Sequence, residues 1–292
     1  MTVVIGKCFG DTIVVLSDTM ISDAQLGRAD AIPGRLKAIT INDHLSIAYA
    51  GHSDPALNIV RQTPGIYRSS GLVGVLESLR QFTACEGYDV DFIVASHDPS
   101  TELRRVWSGQ ISGLLKETCI GNCAILPEVM SRFTPAPDDK TSAHNFRLAF
   151  INAFTNRRVH LGTGVGGFPI ALQAAPEGHL YKGHTLNESW KPVGFTPGGT
   201  TYEDEKDLLT GEWSFRHDIL VPRRTGLAVI GAEVPQGKIG FVYAPLLERD
   251  PTPVTLLASD KTWTQYQNEM HAVMRAAMDA KTAAAEEALE PK

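Results

Sequence analysis

Two residues near the start of the chain, Thr2 and Asp18, have types and spacing that suit acyl-transfer chemistry. Two β-rich runs, residues 3–7 and 12–17, are joined by Cys8, Phe9, Gly10 and Asp11. A strand, a glycine-containing turn and a returning strand read as a β-hairpin. Thr2 opens its first strand and Asp18 ends its second, so the hairpin sets the two side by side. Methionine before a small residue is commonly removed, which would free Thr2 as the mature terminus. A threonine hydroxyl is a weak nucleophile unless a base stands next to it. An N-terminal threonine carries its own base, the α-amino group, whose pKa lies near neutrality. Met-Thr is also a common start in which the threonine merely opens a strand, so more of the chain is needed to choose.

Residues 37–51 supply it. They read as a second hairpin with Asn42 and Asp43 at the turn and alternation on both sides, running into Ser53, Asp54 and Pro55 as a capped helix start. Thr2, Asp18, Lys37 and the Ala50-Gly51 pair fall in this order at spacings that resemble the proteasome β-subunit family of N-terminal-nucleophile hydrolases. The resemblance implies Thr2 as nucleophile with its amine as general base. Lys37 is then the cation that lowers the hydroxyl's proton affinity, and Asp18 the carboxylate that holds the lysine. Gly51 is implied as the oxyanion-hole N–H donor, a group typically worth two or three orders of magnitude in rate. Ser22 sits where the family holds the substrate backbone extended, and with Gly51 and Ser53 makes up the implied substrate-binding set. Read without the resemblance, Lys37 is a solvated strand-start lysine, Asp18 a turn aspartate and Gly51 a helix-entry glycine. Arg35 is a competing nearby cation, and the Ile39/Ile41 alternation after Lys37 favours Lys37.

The later part of the resemblance departs from the family's pattern. The turn Ile120, Gly121, Asn122, Cys123 places Asn122 where active members carry a serine beside the terminal amine; an asparagine can hydrogen-bond that amine, while read without the resemblance the stretch is a glycine-containing turn before the helix over 124–133. Gly162 and Val165 stand where the family has an aspartate and a serine. Cys123, with no adjacent histidine to ionise it, reads as a small buried residue.

The elements that would position these residues follow from periodicity. A helix broken at Thr63, Pro64 and Gly65 is expected to resume over residues 70–84 with Leu72, Val75, Leu76, Leu79 and Phe82 on one face. Strands are expected at 91–96, 102–107 and 111–120, helices at 124–133 and 142–156, and a strand pair at 168–174 and 179–182. Residues 27–34 and 191–201 read as loops. Strand candidates at 219–221, 227–230, 239–243 and 254–257 precede a helix from Thr262 to about Glu287 with Trp263, Tyr266, Met270, Val273, Met274 and Ala277 on one side. The resemblance implies an α+β fold, a four-layer αββα sandwich over residues 1–190. Residues 191–292 form a smaller α+β appendage with a terminal helix.

Composition narrows the classes of function. An apolar content of 43% with 21% charged residues suits a globular protein, and a net charge of −6 without a basic cluster argues against nucleic acid as a partner. No apolar run reaches the roughly 20 residues of a membrane span, and the start lacks the basic and apolar regions of a signal peptide. The four cysteines, lacking CxxC spacing, fit a reducing cytoplasm. No cofactor and no metal site is expected. Three functions remain: a threonine peptidase or amidohydrolase acting on a peptide or protein substrate, a transpeptidase or ligase using the same acyl ester, and a non-catalytic structural subunit. A homo-oligomer is expected by the resemblance.

Overall fold

The structure, a computed structural model, describes residues 2–23, 28–34, 36–85, 87, 89–155, 169–182, 185–190, 194–196, 199–201, 213–220, 229–234, 239–243, 257–258 and 261–287. Strands β1 (Val3–Phe9) and β2 (Thr12–Ser17) form the expected hairpin. Next come β3 (Met20–Asp23) and β4 (Arg28–Gly34), a two-stranded ribbon whose second strand lies where the sequence reads as a loop. The ribbon accommodates Pro33 because its register jumps from Met20 opposite Gly34 to Ile21 opposite Asp30. That bulge removes residues 31–33 from the ladder, so the missing proline N–H breaks no strand pairing.

The second hairpin, β5 (Ala38–Asn42) and β6 (Leu45–Gly51), leads into α1 (Ser53–Ala84). The helix does not break at Pro64. It contains that residue and changes direction at Gly71, whose φ of 61° favours glycine. Its N-cap is His52, without a side-chain capping bond, rather than one of the residues from Ser53 onward. Then follow β7 (Val90–Ser96), β8 (Glu102–Trp107), β9 (Gln110–Ile111) and β10 (Glu117–Gly121). The single strand expected over 111–120 is thus two short strands in different sheets, linked by residues 112–116. After a 3-10 turn (Cys123–Ile125) come α2 (Leu126–Arg132), α3 (Asp139–Thr155), β11 (Ile170–Ala175) and β12 (Gly178–Tyr181).

Two five-stranded antiparallel sheets result, ordered β10-β1-β2-β11-β12 and β5-β6-β7-β8-β9. On the first, Val3, Ile5, Val14 and Leu16 pack with Val129 of α2 and Phe146, Ala149, Phe150 and Ala153 of α3. On the second, Leu45, Ile47, Tyr49, Phe92 and Val94 pack with Leu57, Val60, Val75, Leu76 and Leu79 of α1. The opposite face of β1 meets the second sheet, since a Cβ on Gly6 would lie 3.0 Å from Leu103 Cδ1 and 3.3 Å from Ile93 Cγ2. Strands covered on both faces carry continuous apolar runs, which is why residues 3–5 and 13–16 are buried without alternation.

The remaining elements are β13 (Thr185–Trp190), the pair β14 (Gly194–Thr196) and β15 (Gly199–Thr201), β16 (Trp213–Leu220), β17 (Val229–Val234), β18 (Ile239–Tyr243), β19 (Leu257–Ala258) and α4 (Trp263–Glu287). β14 and β15 occupy part of the expected loop over 191–201. A third sheet runs β13-β16-β17-β18-β19, so residues 185–190 pair with the C-terminal strands although the sequence division at 190 leaves them with the first unit. Met270 and Met274 of α4 pack on Val229, Val242 and Val273. Gly231 makes room, because a Cβ there would lie 2.1 Å from Met270 Sδ. Thr262 and Gln265 cap α4 reciprocally, Thr262 N donating to Gln265 Oε1 (2.7 Å) and Gln265 N to Thr262 Oγ1 (3.4 Å).

Candidate active site

Three element ends converge on one buried carboxylate. Thr2 precedes β1, Asp18 follows β2, and Lys37 precedes β5. The end of the first hairpin is closed by Asp18 N donating to Val3 O (3.3 Å), which aims the Asp18 side chain back across the strand start. Asp18 Oδ1 accepts from Thr2 Oγ1 (2.5 Å), Val3 N (3.2 Å) and Lys37 Nζ (2.8 Å). Asp18 is fully buried, and Thr2 and Lys37 are each 4% exposed. Lys37 is fixed through its backbone, whose carbonyl accepts from Tyr49 N (3.0 Å), while the Tyr49 hydroxyl donates to the neighbouring Leu36 O (3.3 Å). Arg35, the competing cation, lies outside the described residues.

The electrostatics follow from that burial. Desolvation pulls the Lys37 pKa below the ordinary lysine value, while the charge of Asp18 and its hydrogen bond pull it back up. The ammonium is therefore a readier proton donor than a surface lysine, yet it stays tied to the carboxylate that also holds the threonine hydroxyl.

Two glycines bring other backbones within reach. Gly121, at the end of β10, has φ 75°, and a Cβ there would lie 2.1 Å from Thr2 O and 3.1 Å from the Ala50 Cβ. Next to it, Asn122 N donates to Thr2 O (2.6 Å). Gly51, following Ala50, has φ 108°, and a Cβ on it would meet Asp89 O at 1.9 Å. Glycine at 121 thus lets the end of β10 close on Thr2, and glycine at 51 lets the end of β6 pass against the Asp89 backbone.

The other expected residues are placed differently. Asn122 presents its backbone to Thr2, and its Oδ1 accepts from Ala124 N (3.1 Å), capping the 3-10 turn. Ser53 is the first residue of α1 and half-buried. Ser22 lies in β3, with its side chain outside the described set, as are Gly162 and Val165 entirely. Cys123 is not a buried free thiol but a half-buried residue bonded to Cys119. Sequence reasoning passed over Gly121 and the Cys119–Cys123 pair. The signal for the first was the turn sequence itself, read for the Asn122 side chain rather than for the backbone.

Among the described residues no group of three His, Cys, Asp or Glu could hold a metal ion, and no helix is long and apolar enough to cross a membrane. No protein-family model and no curated protein matches the chain. Among solved structures, the crystal structure of eukaryotic HslV from Trypanosoma brucei aligns with 59% of this chain and 99% of that one, at 16% identity and a TM-score of 0.43. A similarity of that size does not place the chain in a family.

Proposed function

We propose that Thr2, freed by removal of Met1, is the nucleophile of a peptidase or amidohydrolase of the proteasome type, built on a four-layer αββα sandwich. The observation that carries it is the shared acceptor: one buried carboxylate oxygen of Asp18 receives both the Thr2 hydroxyl and the Lys37 ammonium. While Met1 is attached, the Thr2 nitrogen is an amide and no base. Cleavage of that bond gives an amine beside the hydroxyl, of the kind that titrates near neutrality.

In the reaction Thr2 Oγ1 attacks the scissile carbonyl as its proton passes to the Thr2 amine. The Lys37 charge favours the developing alkoxide, and the Gly51 N–H donates to the carbonyl oxygen as it becomes an oxyanion. Collapse breaks the C–N bond, the Thr2 ammonium protonates the leaving amine, and an acyl ester remains on Thr2. Water then attacks the ester, and Thr2 Oγ1 leaves as a hydroxyl. Asp18 orients both Thr2 and Lys37 throughout. The substrate is a peptide or protein, with Ser22, Gly51 and Ser53 along its path, and the setting is a cytoplasmic homo-oligomer. Residues C-terminal to the first two sheets form an added domain.

The test is intact-mass analysis before and after exposure to a threonine-directed electrophile such as a β-lactone. The expected result is loss of Met1 and a single adduct on Thr2 that Thr2→Ala abolishes. Met1 retained throughout the population, or an unchanged adduct in Thr2→Ala, would refute it.

A further inference from the structure

The turn that holds Thr2 is clasped by a covalent bond that acyl transfer does not use. Cys119, opposite Ile5 in the β10–β1 ladder, and Cys123, the first residue of the 3-10 turn, form a disulfide with Cα atoms 5.9 Å apart. Between them lie Ile120, buried and paired with Val4, then left-handed Gly121 against the Thr2 carbonyl, then Asn122, whose N–H donates to that carbonyl. The bond ties together both ends of the segment that fixes Thr2.

The chemistry of the cysteines is selective. Cys8 and Cys85 are free, so the chain is no disulfide scaffold. Burial raises the pKa of the Cys8 thiol, with Lys7 partly opposing, which keeps it from ionising and reacting. Cys119 and Cys123 are both half-buried, and Cys119 also packs against the core cluster that includes Val3, Ile5 and Val129. Two half-buried cysteines within bonding reach are the arrangement in which one attacks a small disulfide and the other resolves the mixed disulfide.

We infer that Cys119 and Cys123 are a reversible thiol–disulfide switch, exchanged with a small disulfide of the glutathione class, which tightens the Gly121–Asn122 turn on Thr2 when oxidised and loosens it when reduced. The Cys123 thiolate attacks glutathione disulfide, forming a mixed disulfide and releasing one glutathione thiolate. The Cys119 thiolate then attacks the Cys123 sulfur, forming the internal bond and expelling the second. Two electrons and two protons leave the protein, and one glutathione disulfide becomes two glutathiones. In a reducing compartment such a bond forms only transiently, which suits a sensor rather than a structural staple. Its effect on Thr2 reactivity rests on the proposed nucleophile, but the switch itself does not.

The test takes the full chain, with Cys85→Ser to remove the exposed free thiol, through a series of glutathione to glutathione disulfide ratios. Thiols are counted by alkylation and intact mass, and hydrogen exchange is followed on peptides spanning Gly121 and Asn122. The expected result is loss of two alkylatable thiols as a pair and about tenfold slower exchange of the turn when oxidised. In Cys123→Ser and, separately, Cys119→Ser, turn exchange should not respond to the buffer. Full alkylation of both cysteines after equilibration with excess glutathione disulfide, or equal turn exchange in the two redox states, would overturn the inference. The β-lactone adduct on Thr2 should form faster in the oxidised protein. Absence of any adduct in either state counts against the nucleophile, while thiol count and turn exchange still decide the switch.

Discussion

Neutralising Asp18 should separate stability from chemistry at this site. Asp18 is fully buried and Lys37 is 4% exposed, so Asp18→Asn leaves an ammonium in the interior without its counter-charge. Breaking a buried pair from one side costs about 3–5 kcal/mol, because the remaining charge has lost its compensation rather than because the pair itself was strongly stabilising. At roughly 2–4 °C per kcal/mol for a chain of this size, melting should fall by about 6–20 °C. Lys37→Met should cost a similar amount by stranding the carboxylate. The double variant Asp18→Asn/Lys37→Met removes both charges while an amide oxygen still accepts from Thr2 Oγ1 and Val3 N. It should therefore recover most of the loss, with a coupling energy of several kcal/mol. Denaturant unfolding of the four proteins measures this cycle, and β-lactone labelling of Thr2 measures the chemistry. Labelling should stay lost in the double variant although stability returns. Additive single effects, or an Asp18→Asn variant within about 1 kcal/mol of wild type, would refute the buried pair. The pH dependence gives an independent check. Because burial lowers the folded pKa of Lys37, the unfolded chain binds more protons between that pKa and the ordinary lysine value. Stability relative to Lys37→Met should then be lowest below this window and rise with pH through it.

Three further outcomes are expected. Gly121→Ala should displace the Thr2 carbonyl, which an added Cβ would meet at 2.1 Å, and should slow β-lactone labelling at least about tenfold with the fold retained by circular dichroism. His179 is 1% exposed and its pKa is lowered to about 3, chiefly by burial and then by His97 and His44. The unfolded chain thus binds more protons between about 3 and 6.5, and stability should fall by about 1.4 kcal/mol per pH unit as pH drops through that window. His179→Gln should flatten the slope, as denaturant midpoints against pH would show. Phe150→Ala, which empties a fully buried site between α3 and the first sheet, should cost about 3–5 kcal/mol in urea unfolding.

What the sequence revealed depends on how locally each feature is determined. The first hairpin was legible because two β-rich runs around a glycine fix their own pairing, and that pairing alone puts Thr2 beside Asp18. The apolar stripes of α1, α3 and α4 were legible by period, and Val75, Leu76, Leu79, Phe146, Phe150, Met270 and Met274 are all buried. Backbone irregularities were not. Proline marked the wrong break in α1, because a helix can carry Pro64, whereas Gly71 alone adopts a positive φ within it. Likewise the Pro-Gly content of residues 31–34 concealed a strand, since a bulge on a two-stranded ribbon removes the proline from the ladder. The Cys119–Cys123 spacing carried no recognisable motif, because the sulfurs meet only after the left-handed Gly121 turns the chain back.

A second polar assembly shows the same limit at the other end of β6. Gly51 ends that strand near Thr2, while Ser46 near its start meets His179 of β12, with Ser46 Oγ and His179 Nδ1 2.7 Å apart. His179 Nε2 lies 2.9 Å from His97 Nδ1, and His97 Nε2 lies 2.7 Å from Asp11 O. The backbone oxygen of Asp11 can only accept, so His97 Nε2 carries a proton there. With both rings neutral, His97 Nδ1 then accepts from His179 Nε2–H, and His179 Nδ1 accepts from the Ser46 hydroxyl. One carbonyl thereby fixes the direction of every bond in a chain that joins the two sheets. Its members are 46, 97 and 179 in sequence, with no shared period or motif, so only the packed sheets bring them together. The sheet pair thus carries a directional polar tie at one end of β6 and the Thr2–Asp18–Lys37 cluster at the other. Protonation of the buried His179 would force at least one bond of the tie to reverse, since its Nδ1 would become a donor facing the serine oxygen. For that reason acid should weaken the sheet pair from the end remote from Thr2.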